Sequence, residues 1–152
     1  MTAAVAGGAM AEVSTGQGAL SSEDCWDVLT SREFGRLAYV VDGAPAIVPI
    51  NYVVDGGQLV FRTSDGTKLH SIVADPRVAF EVDEVDDANE IGISVVVRGE
   101  AHVLSADEEY RIEQVGLRAW LGHDRPVLVA IEPHEITGRR YGLKRPWRRM
   151  MR

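Results

Sequence analysis

Cysteine is almost missing: Cys25 is the only one in 152 residues, which excludes an intrachain disulfide and suits a reducing compartment, the cytoplasm. No uninterrupted apolar run approaches the ~20 residues that a membrane helix needs. No basic segment precedes an apolar one at the N-terminus, so a secretory leader is not expected either. His70, His102, His123 and His134 are scattered without metal-ligand spacing and Cys25 has no partner thiol, so no metal site is expected. A nucleophile-elbow pattern is absent. The acidic stretch from Glu81 to Glu90 lacks the Asp-x-Asp-x-Asp-Gly spacing of a calcium loop and reads as a solvated loop over residues 83–91. With these chemistries set aside, no side chain is assigned a catalytic role.

Acidic residues are also missing from one region. From Arg139 onward come Arg139, Arg140, Lys144, Arg145, Arg148, Arg149 and Arg152, with no Asp or Glu. The formal net charge is −7; of 16 Lys and Arg, removing those seven leaves nine against 23 acidic residues, a body of about −14. A body this acidic repels nucleic acid everywhere except at the tail, so nucleic acid is not an expected partner.

What is present is one domain's worth of chain. Residues 1–20 are rich in Ala, Gly, Ser and Thr and read as a disordered leader; 21–142 form the domain, and 143–152 a basic tail. Ser21 is placed to cap a short helix that ends near Arg32. From Arg36 the texture turns β. Strands are expected over residues 37–41, 46–54, 58–62, 78–82, 93–104, 127–132 and 136–140, the last two parted by Pro133, with turns at Asp42-Gly43 and Asp55-Gly56-Gly57. A short helix over 68–74 stops at Asp75-Pro76, and a longer one runs from Ser105 to Gly122 with Tyr110, Ile112, Val115, Leu117 and Trp120 as its apolar positions. Many short strands with few helices make the chain mainly β, an antiparallel barrel with a few flanking helices.

Two segments carry candidate chemistry. Arg62, Thr63, Ser64, Thr67 and Lys68 put two cations and three hydroxyls at a strand-to-helix passage. That composition suits a phosphate, because the helix start adds free amides and a favourable dipole. The bland alternative is a polar surface loop. In Pro49-Ile50-Asn51-Tyr52 the proline cannot donate to a ladder, so it marks an edge, bulge or gap where a planar ring can approach the backbone.

An ordered set of motifs runs through the chain: Gly35-Arg36-Leu37-Ala38, then Pro49-Ile50-Asn51-Tyr52, Phe61-Arg62-Thr63 to Gly66-Thr67-Lys68-Leu69, Asp75-Pro76-Arg77-Val78-Ala79-Phe80-Glu81, Ser94 to Ala101, and Ile136-Thr137-Gly138-Arg139-Arg140. Together they resemble the pyridoxamine 5'-phosphate oxidase-like flavin-binding split barrels, especially the nitroimidazole-reductase-like branch, over about residues 22–142. The resemblance implies a six-stranded antiparallel split β-barrel that works as a homodimer, with flavin mononucleotide (FMN) in a groove between subunits. It implies that Arg62, Thr63, Thr67 and Lys68 hold the phosphate and ribityl chain, that Val48, Pro49, Ile50 and Asn51 lie along the isoalloxazine ring, and that Trp120 and Arg140 approach the ring from the second subunit. The chain departs from true pyridoxamine phosphate oxidases in lacking their Arg- and His-rich C-terminal segment, and from nitroimidazole reductases, which often carry His at the position of Arg62. The function implied is hydride transfer at a flavin acting on a small organic substrate. The rivals are a deazaflavin-dependent reductase of the same fold and a non-catalytic flavin- or haem-binding barrel.

Overall fold

Two tight turns set the register of half the barrel. Asp42 and Gly43 have φ of 50° and 79°, and Gly56 and Gly57 have 56° and 78°, the left-handed conformations of two-residue hairpins. The structure, a computed structural model, describes residues 17–64, 66–113 and 126–144. In chain order these form β1 (Gly18–Ala19), α1 (Ser22–Ser31), β2 (Phe34–Val41), β3 (Ala44–Asp55), β4 (Gln58–Ser64), α2 (Thr67–Ala74), β5 (Arg77–Asp86), β6 (Ile91–Val103), α3 (Ala106–Glu113) and β7 (Pro126–Gly142). Strand order is β1-β7-β4-β3-β2-β5-β6, and β6 pairs back onto β7. Six strands therefore close a ring in which every pairing is antiparallel, and β1 adds a short extra ladder at residues 139–140 of β7. The fold is the mainly β split barrel expected. No helix among the described residues is long and apolar enough to cross a membrane.

The barrel interior holds Leu37, Tyr52, Leu59, Phe61, Phe80, Val82, Val95, Val97, Val129 and Ile131, with Leu29 of α1 and Ile72 of α2 closing its ends. Residues alternating with these on β4 and β7, namely Val60, Leu128 and Ala130, pack outside the ring with Ile112 of α3. Both faces of β4 at Leu59–Phe61 and of β7 at Leu128–Ile131 are thus covered, which is why those segments are continuous apolar runs. Ser21 caps α1, accepting from the Asp24 amide at 3.1 Å.

Tyr52 ties α1 to the barrel. Its hydroxyl donates to the Leu29 carbonyl at 2.6 Å inside the core, and its ring meets Phe80 edge-on at 4.7 Å. Burial pushes the phenol up, so it stays a donor at any ordinary pH. Replacing Tyr52 with Phe leaves the carbonyl unpaired and is expected to cost about 1–3 kcal/mol in urea denaturation. A midpoint equal to wild type would show that the bond contributes nothing.

The structure corrects three expectations. The acidic residues 83–86 are strand, not loop: β5 pairs with β6 out to Asp86↔Ile91, leaving only a turn between them. Asp83 and Glu84 are met by cations from elsewhere, as Arg36 donates to Asp83 and to the neighbouring Glu81 and Arg32 pairs with Glu84, while Asp86 accepts from the Ala88 and Asn89 amides of the turn. Pro133 does not divide two strands. β7 runs unbroken, and a bulge absorbs one residue as Arg98 faces Glu135 while Gly99 faces Pro133. The chain also enters the sheet at Gly18, ahead of residue 21, as the Leu20 amide donates to the Gly138 carbonyl. Val115, Leu117, Trp120 and Gly122 lie outside the described residues.

Candidate functional site

The site is a place where the sheet fails to pair. β3 pairs with β2 over residues 44–51 and with β4 only over 52–55. β4 pairs with β3 over 58–61 and with β7 over 59–64. Continuing the β3–β4 register beyond Tyr52↔Phe61 would set Asn51 against Arg62 and Pro49 against Ser64, and neither pair forms. The two segments singled out from sequence are therefore the opposed lips of one split.

Strand alternation fixes which backbone groups face the opening. The Tyr52 amide donates to the Glu33 carbonyl on the β2 side. Residues of the same parity on β3, including Val48 and Ile50, bond toward β2, and the others turn their backbone toward β4. Above the last formed pair, the amides of Ile47, Asn51, Arg62 and Ser64 consequently point into the split, with the carbonyl of Pro49. Pro45 and Pro49 both sit on that edge, where a proline wastes no ladder donor. Pro49 also cannot donate to Ser64, so it prevents the ladder from closing.

Side chains sort by the same parity. Val48 and Ile50 pack against the core, so they offer the site no side-chain surface, while Ile47 and Pro49 face out and Asn51 is half-buried. Thr63 is 2% exposed and points into the barrel; its hydroxyl donates to the Ser64 carbonyl at 3.3 Å. Ser64 and Thr67 are exposed.

The cations are the informative members. The Nε of Arg62 is buried and has no hydrogen-bond partner among the described residues, a state that costs about 1–3 kcal/mol unless something satisfies it. Lys68 extends its ammonium over the Phe61 ring, 5.9 Å from the centroid, and burial holds its pKa below the usual lysine range. α2 follows Gly66 at its N-cap, with no acid in its first turn and, among the described residues, no side chain capping its leading amides. Lys68, the amides that open α2 and the helix dipole follow directly on the end of β4, where Arg62 lies.

Arg140 is elsewhere. It pairs with Ile93 and Gly18, while the Arg62–Ser64 lip pairs with the opposite end of β7 at Pro126–Leu128. Roughly 40 Å of strand separates the two at about 3.3 Å per residue. Within one protomer the two are not brought together, and Trp120 lies outside the described residues. Among the described residues, no group of three or more His, Cys, Asp or Glu is arranged to hold a metal ion. Residue-type reasoning missed the unpaired amides. Their signal was available in the Pro45–Pro49 spacing, which puts both prolines on one edge of one strand.

Comparison with known proteins gives this geometry a family. A family model described as pyridoxamine 5'-phosphate oxidase matches residues 21–140. An uncharacterized protein of Mycobacterium tuberculosis is 33% identical over 124 residues, which is 78% of this chain and 82% of the relative. The solved structure of an FAD binding protein from Mycobacterium smegmatis is 35% identical, with a TM-score of 0.69, covering 84% of this chain and 99% of that one. A FAD-binding protein from Mesorhizobium loti is 27% identical, with a TM-score of 0.73 over 84% of this chain and 100% of that one. The chain belongs to the pyridoxamine 5'-phosphate oxidase family.

Proposed function

We propose that the split binds the FMN moiety of a flavin nucleotide and that the protein is a flavin-dependent oxidoreductase acting on a small organic substrate. The observation that carries this reading is the unclosed pair of lips: Pro49–Asn51 offers a backbone edge unpaired on its β4 side, and Arg62–Ser64 leads straight toward the start of α2. A phosphate there would take the orphaned Arg62 Nε, the Lys68 ammonium, the Thr67 hydroxyl and the first amides of α2. The lip amides of Asn51, Arg62 and Ser64 would hydrogen-bond a heterocycle edge and fix its orientation. Bound flavin supplies the hydride chemistry at its N5. This chain's part is to bind, orient and desolvate, and no residue acts as acid, base or nucleophile. The names of two relatives, both FAD-binding proteins, support a flavin in this pocket.

A second copy of the chain completes the proposal. The split opens to the outside of the barrel beside Ile47, which is 68% exposed, and Arg140 can reach a ring there only from another protomer. The protein would then act as a homodimer with the cofactor at its interface, in the reducing cytoplasm. The test is the visible spectrum and mass of whatever co-purifies, followed by titration with FMN and a deazaflavin. The two-band spectrum of oxidised flavin and tight FMN binding are expected. A Soret band, or a deazaflavin that binds more tightly than FMN, overturns the reading. A flavin that is bound but never reduced by any donor leaves the non-catalytic carrier as the function.

A further inference from the structure

A cavity of about 380 Å³ lies between α1 and the barrel end that this helix closes, within the ~300–1,000 Å³ range of ligand sites. One wall is a row across three strands, since Glu84 faces Ile93 and Ile93 faces Arg140. Glu84 and Ile93 share the parity of Val82 and Val95, so the row lies on the inner side of the sheet. Core packing asks for apolar residues at such positions, yet two of the three are charged. The other wall is one face of α1, Asp24, Asp27, Val28 and Ser31, at the i, i+3, i+4, i+7 spacing that aligns side chains. Arg32, just past the helix end, also lines the cavity.

Charge narrows what the cavity accepts. Arg32 pairs through a terminal nitrogen with Glu84, but its Nε is buried and has no hydrogen-bond partner among the described residues. A buried N–H in that state is destabilising until an acceptor reaches it. Arg140 adds positive charge to the strand wall, and Asp24 and Asp27 bring carboxylates along the helix wall. With Glu84, three carboxylates meet two guanidinium groups, so the lining carries one excess negative charge. A bare anion is disfavoured by that excess, and a bare cation leaves the Arg32 Nε unsatisfied. A molecule carrying both charges meets both conditions. We infer that this cavity binds a small zwitterion with an apolar body, of the chemical class of an aliphatic amino acid. Its carboxylate accepts from the Arg32 Nε, its ammonium donates to the Asp24 and Asp27 carboxylates, and its side chain rests on Leu20, Val28 and Ile93. The residues that form the split take no part, so this site stands or falls apart from the flavin reading.

The experiment titrates the full chain, by calorimetry and by melting temperature, with leucine, 4-methylpentanoate and 3-methylbutylamine. The last two are leucine without its ammonium and without its carboxylate. Leucine is expected to bind and to raise the melting temperature. Each analogue is expected to bind at least ~10-fold more weakly, for want of one charge-assisted contact. Two variants locate the effect. Arg32→Met keeps the stem and removes the Nε, at the cost of a partly exposed ion pair of small worth. Ser31→Trp fills the space from an exposed position on the helix wall, without entering the core. Both are expected to melt near wild type without ligand and to lose the response to leucine. No binding of leucine at millimolar concentration overturns the site, and so does either analogue binding as tightly as leucine. Undiminished leucine binding in either variant shows that the molecule sits elsewhere and overturns it too. Should a variant fail to fold, the comparison of the three probes on wild type still decides.

Discussion

Replacing Lys68 with Met lowers affinity for flavin on the order of 10–100-fold without lowering the melting temperature of the flavin-free protein. The size follows from losing one charge-assisted contact to a phosphate, about 1.5–3 kcal/mol. The unchanged stability follows from where the ammonium sits. It is partly desolvated, and its pKa is below the usual lysine range because burial disfavours the charged form. At neutral pH the free protein therefore carries the cost of a charged lysine, and sheds it as the pH climbs through the lowered pKa toward the free-lysine value of 10.5. Flavin affinity runs the other way and falls as that proton leaves. Methionine keeps the stem against Phe61 while removing the charge, so packing is conserved. Arg62→Ala should behave alike, because it deletes a buried Nε that lacks a partner among the described residues. Affinity by titration and melting by calorimetry must therefore part company. If both fall together in either variant, these cations hold the fold and the phosphate assignment is wrong.

The split was closer to legible in the sequence than its two motifs suggested. Gly56-Gly57 demands a two-residue hairpin, so Asp55 must face Gln58. Counting outward from that pair sets Asn51 opposite Arg62 and Pro49 opposite Ser64, and a proline cannot complete the second pair. The turns and the Ser21 cap were readable for the same reason: each depends on a residue whose conformational preference acts locally. The acidic run at 83–86 was not readable, because charge reports solvation and says nothing of backbone pairing. Its cations, Arg32 and Arg36, come from another part of the chain, Arg36 lying 45 residues before Glu81. Pro133 misled in the opposite sense. A proline normally ends a strand, but here the long β6 partner tolerates an extra residue beside it. The remoteness of Arg140 from the split depended on that same continuity.

That bulge is also where one added carbon does most damage. A Cβ at Gly99 would lie 2.0 Å from the Glu132 carbonyl oxygen, 2.9 Å from its carbon and 3.1 Å from the Pro133 Cα. All three are backbone atoms of β7, so no side chain can swing aside. β6 must separate from β7, which also carries β4 and with it the Arg62–Ser64 lip. Gly99→Ala is expected to destabilise the protein by about 3 kcal/mol or more, at the upper end for overpacking a fixed site. Gly43→Ala supplies the contrast: it has a φ of 79° with nothing within 4 Å, so it costs only the left-handed penalty of about 1–2 kcal/mol. Urea midpoints for the two variants measured side by side should differ clearly, Gly99→Ala unfolding first. Were they to coincide, the β6–β7 seam would be able to part locally at little cost, and the barrel would not hold its lips at a fixed separation.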